Sequence, residues 1–106
     1  MSEAAMRSGG ATAINPATGR PGETYPWLSE AERNAVLDQA VAGFKQWREM
    51  PVEKRAAVLR GVAAYFRENL ERLARTMTEE MGKPIKMSRA EVEKCAKLCE
   101  WSADHG

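Results

Sequence analysis

Cys95 and Cys99 stand four residues apart near the end of the chain, and its single histidine, His105, follows shortly after. On a helix that spacing stacks two thiols one turn apart on one face, which raises metal ligation or a redox couple as possible chemistry. A structural zinc site takes four ligands, so two thiols and one histidine leave the set incomplete. A bridge within one helix at that spacing strains disulfide geometry. Neither thiol has a histidine or a basic cluster placed to lower its pKa, as a nucleophilic cysteine requires. Both therefore read as small apolar residues on a packed stripe, and their scarcity suits a reduced, cytoplasmic chain. The neighbouring carboxylates Glu79 and Glu80, and Glu91 and Glu93, suggest general acid–base work. Consecutive helical residues point about 100° apart, so Glu79 and Glu80 do not converge, and no apolar neighbourhood is placed to raise a carboxyl pKa. They read as solvated. Glu68 with Arg72, Glu71 with Arg75 and Glu93 with Lys97 are spaced for intrahelical ion pairs, each contributing about 0.3–0.5 kcal/mol.

Charge narrows the classes of partner. Sixteen basic against fifteen acidic residues leave a net charge of +1, which provides no field to gather a polyanion. Arg48, Lys54, Arg55, Arg60, Arg67, Arg72 and Arg75 are interleaved with Glu49, Glu53, Glu68 and Glu71. Mixed signs on helix faces, without aromatic residues set for base stacking, argue against nucleic acid. No glycine-rich phosphate loop is present, since Gly9-Gly10 lies in a polar segment and Gly82 at a helix end. No run approaches the roughly 20 apolar residues that span a bilayer, and residues 1–13 read as a disordered tail.

The elements that would hold these residues are mostly helical. Asn15-Pro16-Ala17-Thr18-Gly19 is turn chemistry, suited to a short hairpin or extended arm. Arg20-Pro21-Gly22 argues against a regular second strand, because proline cannot donate to a ladder. Ser29-Glu30-Ala31-Glu32 is a capping box that opens a helix. Leu37, Ala40, Val41, Phe44 and Trp47 then form one stripe built to be buried. Pro51 ends that helix and suits the first turn of the next. Leu59, Val62, Ala63, Phe66, Leu70, Leu73, Met77 and Met81 continue a stripe that Asn69 divides, and Gly82 and Pro84 close it. A last helix is predicted over residues 85–103, with Val92, Cys95, Ala96, Cys99 and Ser102 on one side and Leu98 and Trp101 beside them. The fold class is mainly α: a hairpin or arm followed by three to four amphipathic helices.

Beyond these patterns, Ile14-Asn15-Pro16-Ala17-Thr18-Gly19, Glu79-Glu80-Met81-Gly82-Lys83-Pro84-Ile85 and Cys95-Ala96-Lys97-Leu98-Cys99-Glu100-Trp101 together resemble the amino-terminal segment of the aldehyde dehydrogenase superfamily. Tyr25-Pro26-Trp27 and the ending through Ala103-Asp104-His105-Gly106 are most similar to its bacterial NAD(P)-dependent succinate-semialdehyde dehydrogenase branch. The resemblance implies that residues 14–106 are the amino-terminal part of an incomplete α/β dehydrogenase domain. Its complete form would oxidise succinate semialdehyde to succinate with NAD or NADP.

Members of the family form a thiohemiacetal on a cysteine, pass hydride to the cofactor and hydrolyse the thioester with a glutamate. None of the motifs that carry those roles occurs here. The resemblance thus assigns no catalytic, cofactor-binding or metal-binding residue to this chain, which is expected to be inactive and to bind no cofactor alone. What it implies is structural. The apolar faces would meet the remainder of the dehydrogenase or another subunit, since an exposed stripe of that size seeks a partner; a small helical protein-interaction module is the alternative. Three positions depart from the family pattern: Gly61 inside a helix, at about 1 kcal/mol relative to alanine, Ser102 where a tyrosine is usual, and Arg20-Pro21-Gly22.

Overall fold

A computed structural model describes residues 9–106, as two strands and four helices. Strands β1 (Gly10–Ile14) and β2 (Pro21–Pro26) form an antiparallel hairpin. They are followed by α1 (Glu30–Glu49), α2 (Val52–Glu68), α3 (Leu70–Met81) and α4 (Ile85–His105). The chain is therefore mainly α, as expected. Two expectations about its start change. Residues 10–13, placed in the tail, belong to β1, while residues 1–8 lie outside the described residues. The second strand also forms. Pro21 is its first residue and Pro26 its last, the positions where a missing amide costs least. The irregularity that Arg20-Pro21-Gly22 introduces is absorbed by a shift of register between Thr12 and Ile14.

Local chemistry accounts for each join. In the hairpin turn the Ala17 amide donates to Asn15 Oδ1 at 2.9 Å and the Gly19 amide to the Asn15 carbonyl at 2.8 Å. Gly19 takes a φ of +72° that a side chain would resist. Across the strands the Thr12 and Thr24 hydroxyls bond at 2.6 Å. The capping box opens α1 as predicted, with the Glu32 amide donating to Ser29 Oγ and the Ser29 amide to the Glu32 carboxylate. Pro51 precedes α2, and Asn69 separates α2 from α3. Gly82 closes α3 at φ +75°, its amide donating to the Thr78 carbonyl. There Pro16 of the hairpin turn lies 3.1 Å from where a Cβ on Gly82 would stand. Two of the stretches that carry the family resemblance are thus in physical contact.

The core lies where α4 packs along α2 and α3. It is built from small residues: Ala56, Ala63, Ala74, Ala96 and Ala103 are buried, with Val92 the largest apolar side chain fully enclosed. The predicted large residues Leu59, Phe66, Leu70, Leu73 and Met77 are only half-buried, and Met81 is exposed. Buried Ser88 shares a hydrogen bond of 2.9 Å with the Thr78 hydroxyl, joining α4 to α3.

Helix α1 departs most from expectation. None of its residues is buried; Leu37 is 62% and Phe44 60% exposed, and Val41 and Trp47 are also exposed. The stripe exists, but its periodicity specifies only that a face is apolar and not what covers it. The Cα radius of gyration, 17.8 Å, exceeds the about 13 Å of a compact chain of this length.

Candidate functional site

The residues singled out for chemistry do not converge. Cys95 and Cys99 are free and half-buried on α4; Cys95 borders a shallow apolar groove of about 200 Å³ formed by Phe66, Leu73, Met77 and Val92. His105 is engaged elsewhere. Its Nδ1 donates to the Trp101 carbonyl at 2.9 Å, and its ring stacks on Trp101 with centroids 4.5 Å apart. Among the described residues, no three His, Cys, Asp or Glu side chains come together as metal ligands.

Glu79 and Glu80 are exposed on α3, where they border a groove of about 410 Å³ shared with Arg20, Glu23 and Tyr25 of the hairpin. Glu91 accepts from Lys83 at 3.5 Å. Glu93 accepts from Arg67 at 3.2 Å rather than pairing with Lys97 on its own helix.

That exchange recurs and corrects the expected intrahelical pairing. Arg67 on α2 bridges two carboxylates of α4, Glu93 and, at 2.5 Å, Glu100. Arg89 on α4 donates twice to Glu71 on α3, at 2.7 and 3.1 Å. The hydrogen bonds that Arg67 donates to Glu100 and Glu93 raise the pKa of its guanidinium above its ordinary value. In return Arg67 lowers that of Glu100, and Arg89 lowers that of Glu71. These pairs lace α2 and α3 to α4 at the rim of the alanine core. They are structural, because each cation is matched by a carboxylate and no reactive group lies among them.

The described residues also form no cradle for a dinucleotide pyrophosphate, which needs a glycine-rich turn opening onto free amides of a helix. Gly10 lies in β1 opposite Pro26, and Gly82 ends a helix instead of beginning one. The first turn of α1 holds Ser29 and the carboxylate of Glu32 where a phosphate would sit.

What remains is an exposed apolar face. Trp27 and Leu28 lead into α1, and with Leu37, Val41, Phe44 and Trp47 of that helix they are exposed large apolar side chains, the kind of surface that marks a contact site when contiguous. Behind Trp47 a cleft of about 180 Å³ is lined by Val52, Arg55, Ala56, Leu59, Ser102 and Ala103. Arg55 borders it, and the Arg55 Nε atom is enclosed by the chain, with no hydrogen-bond partner among the described residues. Periodicity located the apolar face. Neither Arg55 nor the cross-helix arginines could be read from the sequence, because spacing along one helix does not reveal a neighbouring helix. Ser88 left a faint signal as a polar residue in phase with Val92, Ala96 and Ala103.

Comparison with known proteins agrees with this geometry. The aldehyde dehydrogenase family model matches residues 4–106. The chain is similar to the succinate semialdehyde dehydrogenase [NAD(P)+] Sad of Escherichia coli, with 45% identity over 96 residues covering 91% of this chain and 21% of that enzyme. It is 33% identical over 93 residues to the NADP(+) succinate-semialdehyde dehydrogenase of Deinococcus radiodurans, covering 88% of this chain and 20% of that one. Among solved structures, succinic semialdehyde dehydrogenase from Streptococcus pyogenes in complex with NADP+ superposes with a TM-score of 0.83 at 31% identity, over 88% of this chain and 21% of that one. GapN of Methanocaldococcus jannaschii complexed with NADP gives 0.84 at 28% identity, over 94% and 22%. The chain spans about a fifth of the length of the relatives it matches, over their amino-terminal portion. The family match across nearly every residue, with the same hairpin and helices in the solved relatives, places the chain in the aldehyde dehydrogenase family.

Proposed function

We propose that these residues form the amino-terminal packing layer of a cytoplasmic, NAD(P)-dependent succinate-semialdehyde dehydrogenase, and that they contribute architecture while residues outside 9–106 perform the chemistry. The observation that carries this reading is α1, an amphipathic helix with no buried residue in a chain that aligns with a fifth of a succinate-semialdehyde dehydrogenase. Its partner is the remainder of that dehydrogenase, laid against Leu37, Val41, Phe44 and Trp47. The nicotinamide cofactor, NAD or NADP, binds on that remainder; relatives of this chain are named for NAD(P)+ and solved in complex with NADP+. A cytoplasmic setting is supported by the two free thiols. Among the described residues, no helix is long and apolar enough to cross a membrane.

A chimera tests the proposal. The aligned segment of Escherichia coli Sad is replaced by this chain, and NAD(P)H formation from succinate semialdehyde is followed at 340 nm. A folded chimera that turns over the substrate supports the assignment, while the isolated chain gives no signal. Turnover by the isolated chain would contradict the architectural role. A chimera that folds but rejects succinate semialdehyde would contradict the substrate.

A further inference from the structure

Cys95 and Cys99 take no part in the packing-layer role, yet α4 holds them as a pair. Both thiols are free and half-buried on that continuous helix. Residues four apart on a helix carry Cβ atoms about 5–6 Å apart on one face. A disulfide brings its Cβ atoms to about 3.5–4.5 Å, so this pair is spaced too widely to join directly, whereas a single atom inserted between the two sulfurs spans the gap. Beside Cys95 the apolar groove of about 200 Å³ is walled by Phe66, Leu73, Met77 and Val92. An apolar cavity of about 150 Å³ accepts a benzene ring. The face therefore offers two sulfur donors and, next to one of them, apolar room for an organic group.

We propose that Cys95 and Cys99 form a dithiol site for a trivalent arsenical carrying one organic substituent, with arsenic bridging the two sulfurs and the substituent lying in the groove. Sulfur ligands suit soft centres of this kind. An oxide R–As=O condenses with the pair: two As–S bonds form, the As=O bond and two S–H bonds break, and the oxygen leaves with both protons as water. Arsenic stays trivalent, so no oxidant or reductant enters. Because the thiol protons leave with the oxygen, neither cysteine needs a lowered pKa. The formed helix favours closure, since once the first As–S bond is made the second thiol is held one turn away at high effective concentration. Zinc is disfavoured by the same count of donors, as it takes four ligands where this face supplies two. The site is independent of the succinate-semialdehyde reading, because it uses only groups of α2, α3 and α4.

The test mixes the 106-residue chain with phenylarsine oxide or methylarsine oxide in an excess of 2-mercaptoethanol. Intact mass reads the adduct, and iodoacetamide labelling with peptide mapping reads which thiols are blocked. The wild-type chain is expected to hold one phenylarsenic group, to protect Cys95 and Cys99 together and to release the group to 1,2-ethanedithiol. Cys95→Ala and Cys99→Ala should each weaken retention at least tenfold. Phenylarsine oxide should bind at least threefold more tightly than methylarsine oxide once each is referenced to its affinity for dithiothreitol. Two comparisons need no variant: the mapping of the wild-type adduct, and retention by the same chain in urea, which should be at least tenfold weaker because the helix no longer holds the pair. Absence of an adduct in excess monothiol, protection of one thiol alone, full retention by either alanine variant, equal retention in urea, or equal referenced affinities for the two arsenicals overturns the site.

Discussion

Val92 is the largest apolar side chain fully enclosed in the α2–α3–α4 core, at 1% exposure, whereas Leu37 on α1 is 62% exposed. Truncating each to alanine asks where the stability of the chain resides. Val92→Ala removes two methyl-sized groups, worth about 0.8 kcal/mol each in transfer from water. The void adds about 24 cal/mol per Å³, so a cavity of a few tens of Å³ contributes up to about 1 kcal/mol. Val92 borders the groove beside Met77, and a flexible methionine can lean into part of the space, which holds the total near 2 kcal/mol. With a urea m value of about 1.5 kcal/mol/M for a small domain, the midpoint of the far-ultraviolet circular dichroism transition should fall by about 1.3 M. Leu37→Ala removes a larger side chain but leaves no cavity, and a surface change of that kind stays within about 0.5 kcal/mol. Comparable shifts for the two variants, or a larger one for Leu37→Ala, would show that α1 is packed and that the core described here is misplaced.

The Thr78–Ser88 hydrogen bond gives a cycle: Ser88→Ala strands the Thr78 hydroxyl and should cost about 1 kcal/mol, while adding Thr78→Val restores part of it, read as urea midpoints of the four proteins. Gly82→Ala should cost about 1–3 kcal/mol, because alanine resists a φ of +75° and its Cβ would stand 3.1 Å from Pro16; a neutral thermal melt would refute the left-handed cap. The carboxyls of Glu71 and Glu100 are held below their ordinary range by Arg89 and Arg67. Depressed carboxyls stabilise above the unfolded pKa, about 4.3 for glutamate, and that contribution is lost as pH falls through the folded values. The urea midpoint should therefore be steady through neutral pH and fall below about pH 4, less steeply in a Glu71→Gln, Glu100→Gln variant.

Much of the fold was legible because helix ends are written in local chemistry. Ser29 with Glu32, Pro51, Asn69 and Gly82 each mark a boundary through a bond or angle that involves only near neighbours. The core was less legible. A stripe draws attention to Phe66, Leu70 and Leu73, yet the buried positions between the helices belong to Ala63, Ala74 and Ala96, whose small size lets neighbouring helices pack over them. Ion pairing failed for a related reason, since Glu71 and Glu93 have partners at the expected spacing on their own helices but meet better-placed arginines across the gap. Pro21 was read as breaking a strand because its place in the ladder depends on register, which the turn at Asn15 sets. Of the candidate site, the apolar face of α1 was visible as periodicity. Arg55 was not, because an unsatisfied donor is a property of its surroundings and not of its residue type.

The uncovered face of α1 also has a consequence in time. In Sad, 96 aligned residues make up 21% of the enzyme, so a polypeptide of that length has ~460 residues, and some 350 follow the aligned segment. At about 5–20 residues per second, their synthesis occupies roughly 20 to 70 seconds, whereas helices form in microseconds. On the proposed assembly, Leu37, Val41 and Phe44 would stand in water on a finished helix through that interval, with the surface proposed to cover them still to be made. A nascent dehydrogenase built this way would emerge from the ribosome with its stickiest face first, and its yield would depend on what shields that face until the rest of the chain arrives.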